Sequence, residues 1–195
     1  MSRPCVRIAS IAGLLGLFAA GCLTDSDKPS GAVAGTTDPA TLVARHAAAL
    51  SHRDYDAYAA LLSDDFMFYP GSLAILDTSD LQDFPWLTGE GAFAWDRIGE
   101  LGMIGQMFAT PNTSIGAAFE VLSIRGTLDA GFDVDTHATF SVASRTFSAE
   151  ADTRLVLRLS KARDGYLRIH SIREIPPELF YGGVTWAAIK MRYEP

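Results

Sequence analysis

Residues 145–175, RTFSAEADTRLVLRLSKARDGYLRIHSIREI, contain two runs in which apolar and polar side chains alternate. An alternation with a period of two is typical of a β-strand that buries one face and exposes the other. In the first run the drier positions are the odd-numbered residues from Phe147 to Leu159. A turn-forming segment, 160–165, separates the runs, and Pro176 ends the second because proline donates no hydrogen bond to a sheet. The pattern predicts a long antiparallel hairpin whose dry face is covered by helices from earlier in the chain.

Three helices are predicted before this hairpin. The first begins at Asp38, because an aspartate accepts hydrogen bonds from the free amides of a helix start, and the proline that follows needs no partner there. The second begins near Asp54, and the third spans 92–108. We interpret the glycines that recur at every third residue of the third helix as points of close packing against a neighbour: Gly99, Gly102 and Gly105.

A resemblance to a known superfamily begins at residues 51–66, SHRDYDAYAALLSDDF. This run, in which a helix gives way to a strand at the LLSDDF junction, resembles the opening of nuclear transport factor 2-like domains, including their SnoaL-like branch. The late hairpin resembles the strands that close such domains, so the likeness covers roughly residues 39–175. It implies an α+β fold in which a cone-shaped, curved antiparallel sheet wraps around the N-terminal helices and leaves a conical pocket.

The N-terminus has the features of an export signal. Arg3 and Arg7 precede an apolar stretch, 8–20, that has the length of a signal-peptide core and is too short to span a bilayer comfortably. The sequence LFAAGC at 17–22 then resembles a bacterial lipobox, whose cysteine receives a diacylglycerol; a plain secretory signal containing a cysteine is the alternative. We expect a signal peptide at 1–21, lipidation of Cys22, a flexible tether at 22–38, the folded domain at 39–177 and a closing segment, helix or strand, at 178–195.

The expected mature protein is acidic and has no free thiol. Cleavage would remove Arg3 and Arg7 and leave 14 of the 16 basic residues. With 23 acidic residues, the net charge would be about −9. That charge disfavours nucleic acid and a polybasic contact with a membrane surface. Cys5 would leave with the signal and Cys22 would be acylated, which excludes a disulfide or a cysteine nucleophile. We therefore expect a lipid anchor in the cell envelope, at the outer membrane if the cell has two membranes.

The resemblance also implies which residues would carry chemistry. Ketosteroid isomerases, scytalone dehydratase and related polyketide cyclases use an Asp or His base in the cone, often with a Tyr or Asp donor, and an apolar cone raises the pKa of a carboxyl group. The candidates here are Asp65 and His137 as bases and Tyr58 and Tyr69 as hydrogen-bond donors. The alternatives are a capping role for Asp65 and a place in the core for the two tyrosines.

A ligand in the cone would meet aromatic and polar groups. Trp86, in a segment expected at the rim, and Trp95 and Phe119 are candidate pocket walls. In the second run of the hairpin the alternation predicts that Ser171 and Arg173 face the cone, where an arginine is suited to clamp a carboxylate. A salt bridge at the end of the sheet is the alternative for Arg173.

No metal ion or cofactor is predicted. Asp129, Asp133 and Asp135 lie close together, but the segment has no glycine or glutamate at the positions that an EF-hand loop requires. The sequence also has no nucleophile elbow, no paired-histidine zinc motif and no nucleotide-binding loop. Hydrolase and metalloprotease functions have no local support.

Two functions are compatible with these observations. The first is a membrane-anchored lipoprotein whose cone binds a small apolar or amphipathic ligand, or a partner protein, without catalysis. The alternative is a SnoaL-like isomerase, dehydratase or cyclase that acts on a carbonyl compound by acid–base chemistry. We also predict a homodimer through the outer face of the sheet, where we expect three apolar side chains: Val156, Tyr166 and Ile172.

Overall fold

The structure is a computed structural model that describes residues 35–71, 94–145, 147–175 and 184–193. The expected signal peptide with Cys22 and the expected rim with Trp86 lie outside the described residues. The predictions made for them are therefore not tested by the structure.

The described residues form four helices and six strands. The helices are α1 Pro39–His52, α2 Tyr55–Leu61, α3 Arg97–Ala109 and α4 Trp186–Met191. The strands are β1 Leu62–Tyr69, β2 Trp95–Asp96, β3 Ser114–Thr127, β4 Gly131–Ala143, β5 Ser148–Lys161 and β6 Leu167–Ile175.

The six strands make one curved sheet that does not close, in the order β2-β1-β6-β5-β4-β3. Neighbouring strands are antiparallel except for β1 and β6, which run parallel. The helices cover the inner face of the sheet, and the core lies between them. The predicted fold class, α+β with a curved sheet around the helices, is confirmed.

Aspartate side chains fix the helix starts. Asp38 accepts a hydrogen bond from the amide of Thr41, as the sequence predicts, and Asp54 accepts one from the amide of Ala57. The third helix begins later than predicted, because residues 95–96 pair with β1 as a short strand and Asp96 then caps α3. The start of α3 is therefore tied to the sheet, and this sets the direction of its first turn.

Arg53 holds the end of α3 against the corner between α1 and α2. Its backbone adopts a left-handed conformation, with φ of 56°, at the end of α1. From there the guanidinium donates to the carbonyls of Thr113 at 2.8 Å, Thr110 at 3.1 Å and Phe108. Carbonyls at the end of a helix lack partners within it, so this arginine both satisfies them and fixes the position of α3.

The late hairpin is present as β5 and β6, and the predicted dry face of β5 is buried. Ala151, Leu155, Leu157 and Leu159 are all buried, whereas Glu150 and Asp152 are exposed. Their neighbours on β4 repeat the pattern, since the buried residues Ala138, Phe140 and Val142 alternate with residues of the outer face.

A β-bulge in β6 reverses the alternation that the sequence suggests. Leu159 lies opposite Ile169, but Arg158 lies opposite Ser171, so His170 is an extra residue in the ladder. Beyond the bulge Ile172 and Glu174 are buried, and Arg173 is exposed. The predictions that Ser171 and Arg173 face the cone, and that Ile172 lies on the outer face, are therefore wrong.

The closing segment contributes a helix, which settles the choice between helix and strand for residues 186–191. Four of the six residues of α4 are buried: Trp186, Ala187, Ile189 and Lys190. No helix among the described residues has the combination of length and hydropathy needed to cross a bilayer.

Candidate functional site

A cluster of polar side chains lies in the core between the helices and the inner face of the sheet. We call it the interior cluster and define it by one residue each from α1, α2, β2, α3 and α4: His46, Tyr58, Trp95, Glu100 and Lys190. Trp95 is 5% exposed and the other four are fully buried. So many polar groups in a dry core require partners, because an unpaired buried polar group costs free energy.

Glu100 is the centre of the interior cluster. Its Oε1 accepts a hydrogen bond from the Tyr58 hydroxyl at 2.6 Å, and its Oε2 accepts one from the Trp95 indole at 2.5 Å. The Lys190 ammonium bridges both carboxylate oxygens, at 3.0 and 2.7 Å. Each oxygen therefore takes two donors, which is the arrangement that a buried carboxylate needs.

The ammonium group of Lys190 is also surrounded by aromatic rings. Nζ lies 3.2 Å from the ring centroid of Phe68, 4.8 Å from that of Trp95 and 5.6 Å from that of Trp186. Burial lowers the pKa of this amine from 10.5 to about 8, although the negative charges of Glu100 and Glu174 oppose the change. At neutral pH the group is therefore mainly an ammonium ion between aromatic rings and one carboxylate.

His46 is the member without a hydrogen bond. Neither of its ring nitrogens, both buried, has a partner among the described residues. Its ring lies between those of Tyr58 and Phe119, with a centroid distance of 5.2 Å to each. Burial lowers its pKa from 6.5 to about 4, so the imidazole is neutral at physiological pH and offers one N–H and one lone pair.

Helix α4 is fixed beside the cluster by Glu174, a buried residue near the end of β6. The carboxylate of Glu174 accepts hydrogen bonds from the amide of Trp186, at 2.8 Å, and from that of Ala187, at 3.4 Å. The ring of Trp186 stacks on that of Phe140 in β4, with centroids 4.1 Å apart and planes 2° apart. These contacts aim Lys190, one turn further along α4, at Glu100.

Solved structures match this arrangement of sheet and helices. A protein of unknown function from Mycobacterium tuberculosis has 14% identity and a TM-score of 0.54, over 79% of this chain and 82% of that one. A nuclear transport factor 2-like protein from Rhodospirillum rubrum has 12% identity and a TM-score of 0.53, over 72% and 98%. The domain has the nuclear transport factor 2-like fold.

A third solved structure shares this fold. ActVI-ORFA from Streptomyces coelicolor has 14% identity and a TM-score of 0.50, over 72% of this chain and 95% of that one. No protein-family model and no curated protein sequence matches the chain. At these identities the likeness establishes the nuclear transport factor 2-like fold and leaves the function to be argued from the site.

The two predicted bases lie outside the nuclear transport factor 2-like cone. Asp65 is exposed, and its carboxylate lies 3.1 Å from the Nδ1 of His170 on the outer face. His137 is half-exposed, with Nε2 2.6 Å from the carboxylate of Asp152. Neither Asp65 nor His137 can therefore act as a base on a substrate in the cone, because neither side chain reaches it.

The other predicted site residues are divided between the two faces of the sheet. Tyr58 and Trp95 belong to the interior cluster, and Phe119 packs against His46 and Phe140. Tyr69 is half-buried beside the guanidinium of Arg173, whose central carbon lies 5.3 Å from the tyrosine ring centroid. The structure brings three of the predicted residues together, and their contact with a ligand stays a prediction.

Sequence reasoning missed Glu100, Lys190 and Glu174. A signal was present for Glu100, because it shares the buried stripe of α3 with residues three, four and seven positions later: Met103, Ile104 and Met107. A charged residue on an apolar helix face predicts a buried partner of opposite charge. The partner itself, 90 residues away in the chain, has no local signature.

The three aspartates considered for a metal ion are held by basic side chains instead. Asp129 pairs with Lys161, Asp133 with Arg158 and Asp135 with Arg154. Within the described ranges, no group of three or more histidine, cysteine, aspartate or glutamate side chains is arranged to hold a metal ion.

Two open depressions lie on the surface of the described part of the domain. One, of about 580 Å³, crosses β3, β4 and β5 and is lined by both polar and apolar residues, among them Thr139, Phe140 and Glu150. The other, of about 760 Å³, lies beside the β5–β6 turn. Neither is lined by the interior cluster.

Proposed function

We propose that the chain is a lipid-anchored protein of the cell envelope whose cone receives a small amphipathic ligand without catalysis. The nuclear transport factor 2-like fold fits ligand binding or isomerase-type chemistry. Two observations support binding: the polar cluster inside the cone and the unused hydrogen-bonding capacity of His46.

The unpartnered imidazole of His46 is the observation that carries the proposal. Buried polar side chains in folded proteins are almost always hydrogen-bonded, and an exception calls for an explanation. A ligand with a hydroxyl, amide or ether group would satisfy the imidazole, while its apolar part would contact Tyr58 and Phe119. Because the ring is neutral, it favours an uncharged group at this point of the ligand.

The same geometry argues against proton transfer by Glu100 or Tyr58. A general base needs a lone pair that points at the substrate, and a general acid needs a proton to give. Each oxygen of Glu100 accepts two hydrogen bonds, and the proton of Tyr58 is donated to Glu100. Burial, and then the negative charge of Glu100, raise the pKa of Tyr58 well above 10, so the phenol stays protonated and bound to its partner.

The ligand proposal is tested with a Cys22→Ala chain, which would need no detergent, and with 1-hexanol as the probe. We expect 1-hexanol to raise the melting temperature saturably and to shift the ¹⁵N resonances of the His46 ring. His46→Phe should abolish the rise, whereas His52→Phe, at an exposed position of the same helix, should preserve it. An equal rise in both variants, or an unmoved His46 resonance, would show that the cone does not bind the probe.

The anchor is tested by substitution of the expected lipidation site. Cys22→Ala should move the protein from the membrane fraction to the soluble fraction and should remove incorporated radiolabelled palmitate. Cys5→Ala, within the expected signal peptide, should change neither. A Cys22→Ala chain that stays with the membrane would contradict a lipid anchor.

The homodimer remains a separate proposal. Val156 is half-buried on the outer face and Tyr166 is exposed, so two of the three predicted residues are still available for a contact. Light scattering should give twice the monomer mass, and Val156→Lys should reduce it to the monomer mass. A monomer at every concentration before substitution would end this proposal.

A further inference from the structure

The surroundings of Lys190 form a complete recognition site for an ammonium ion. Two aromatic rings, Phe68 of β1 and Trp95 of β2, stack on each other next to the ammonium, and the carboxylate of Glu100 comes from α3. Tyr58, on α2, and the Trp95 indole orient that carboxylate by donating to it. These four residues belong to elements other than α4, and the third ring near the ammonium, Trp186, belongs to α4 itself.

Stability alone gives a weak reason for this arrangement. Removing an ammonium and a carboxylate from water is costly, and apolar side chains of similar volume usually stabilise a core at least as well as a buried ion pair. Aromatic rings attract an ammonium group, whether it belongs to a side chain or to a ligand. The cage also lies near His46, the member of the interior cluster that has no hydrogen-bond partner.

We propose that this cage is the head-group site for the cone's ligand and that the ligand carries a primary alkylammonium group. Lys190 is then an internal occupant that the ligand displaces. The inference rests on the proposed function and specifies its ligand class. α4 then acts as a competitor built into the chain, since the same carboxylate and ring faces hold either ammonium group.

The geometry selects a primary amine over a quaternary one. Two bonds from Nζ reach the two oxygens of Glu100, and the nitrogen lies only 3.2 Å from the ring centroid of Phe68. A methyl group on the nitrogen would have to occupy that gap or replace a hydrogen-bonding proton. An alkyl chain bearing a terminal ammonium satisfies the cage, and a polar group further along it would satisfy His46.

The test uses the chain with Cys22→Ala, with and without Lys190→Ala, and two probes. n-Propylammonium reproduces the side-chain atoms of lysine beyond Cβ, and 1-propanol is its uncharged counterpart. We expect n-propylammonium to raise the melting temperature of both chains. The Lys190→Ala chain should need a concentration about tenfold or more lower, because it no longer contains the internal competitor. Adding Glu100→Gln should remove this difference, and 1-propanol should not reproduce it.

The possible failures are distinguishable. If 1-propanol stabilises the Lys190→Ala chain as well as n-propylammonium does, the ammonium class is wrong although the cone still binds a ligand. If both chains respond alike to n-propylammonium, Lys190 is not a competitor. If neither probe has an effect and 1-hexanol has none on the chain with Lys190, the cone has no ligand site and the proposed function fails as well.

If the Lys190→Ala chain does not fold unaided, the proposal can still be tested by refolding. Refolding from urea in millimolar n-propylammonium, with 1-propanol as the control, then replaces the melting experiment. Recovery of the native far-ultraviolet circular dichroism with the amine alone supports the cage, and failure to recover it overturns the proposal.

Discussion

Two sets of ion pairs, one inside the cone and one on the outer face of the sheet, use the same chemistry in opposite surroundings. In the interior, Lys190 and Glu100 approach to 2.7 Å with both side chains fully buried. On the outer face, Arg158 and Asp133 approach to 3.1 Å, with side chains that are 41% and 45% exposed. The distances differ little, so the difference in surroundings decides what each pair contributes.

Water and salt reach the outer pairs and cannot reach the inner one. Exposed ion pairs contribute little because water solvates both partners and salt screens them. In the interior the attraction is strong, but the cost of desolvation nearly offsets it, and the net contribution depends on complete pairing. The inner pair is therefore expected to be sensitive to loss of one partner, and the outer pair to be tolerant of it.

The largest effect is expected from Lys190→Met, which keeps the length of the side chain and removes its charge. The variant leaves the Glu100 carboxylate buried without a counter-charge, which should lower the free energy of unfolding by about 3–5 kcal/mol. Urea unfolding measures this value. Adding Glu100→Gln should restore most of the loss, since a glutamine oxygen still accepts from Tyr58 or Trp95. A loss as small as that of Arg158→Met on the outer face would erase the contrast between the two regions.

The next effect is a dependence of stability on pH that originates in the interior. The pKa of His46 is about 4 in the folded protein and 6.5 for an ordinary imidazole, so the unfolded chain takes up a proton first as the pH falls. The neutral His46 therefore contributes to the free energy of unfolding fully above pH 6.5. This contribution, on the order of 3 kcal/mol, is lost as the pH falls to 4. Urea unfolding measured between these pH values should show the free energy of unfolding rising with pH.

His46→Phe should flatten that slope, and His52→Phe, exposed on the same helix, should retain it. The negative charge of Glu100 raises the pKa of His46, and the positive charge of Lys190 lowers it, so Lys190→Met is expected to move the midpoint upwards. Asp129 and Asp135 also have lowered pKa values, through Lys161 and Arg154, but their contribution is common to all of these variants. A slope unchanged in His46→Phe would assign the pH dependence to groups other than His46.

The outer face was predictable from the sequence wherever its alternation is unbroken. In β5 the period of two places Glu150 and Asp152 outside, as observed. In β6 the apolar positions change from odd numbers, Leu167 and Ile169, to the even-numbered Ile172. This change of phase is the signature of a bulge, and an alternation extended across it puts Ser171 and Arg173 on the wrong face.

The interior was less predictable, because its partners are distant in sequence. Glu100 falls on the buried stripe of α3, which indicates a buried charge and leaves its partner unspecified. Lys190 reaches it from the last described helix, and Trp95 reaches it from a strand of two residues. Long-range pairs of this kind depend on how the helices and the sheet pack, and local periodicity holds no information on that packing.

The smallest effect is expected from the outer pair itself. Asp133→Asn and Arg158→Met, separately and together, should give a coupling free energy of at most about 1 kcal/mol in a double-mutant cycle. Part of this coupling should disappear at molar salt, where the screening length falls to about 3 Å. The loss caused by Lys190→Met should be unchanged at the same salt concentration, because ions do not enter the core. A salt-dependent loss at Lys190 would mean that water reaches the interior cluster in solution, and the two sets of ion pairs would then differ only in degree.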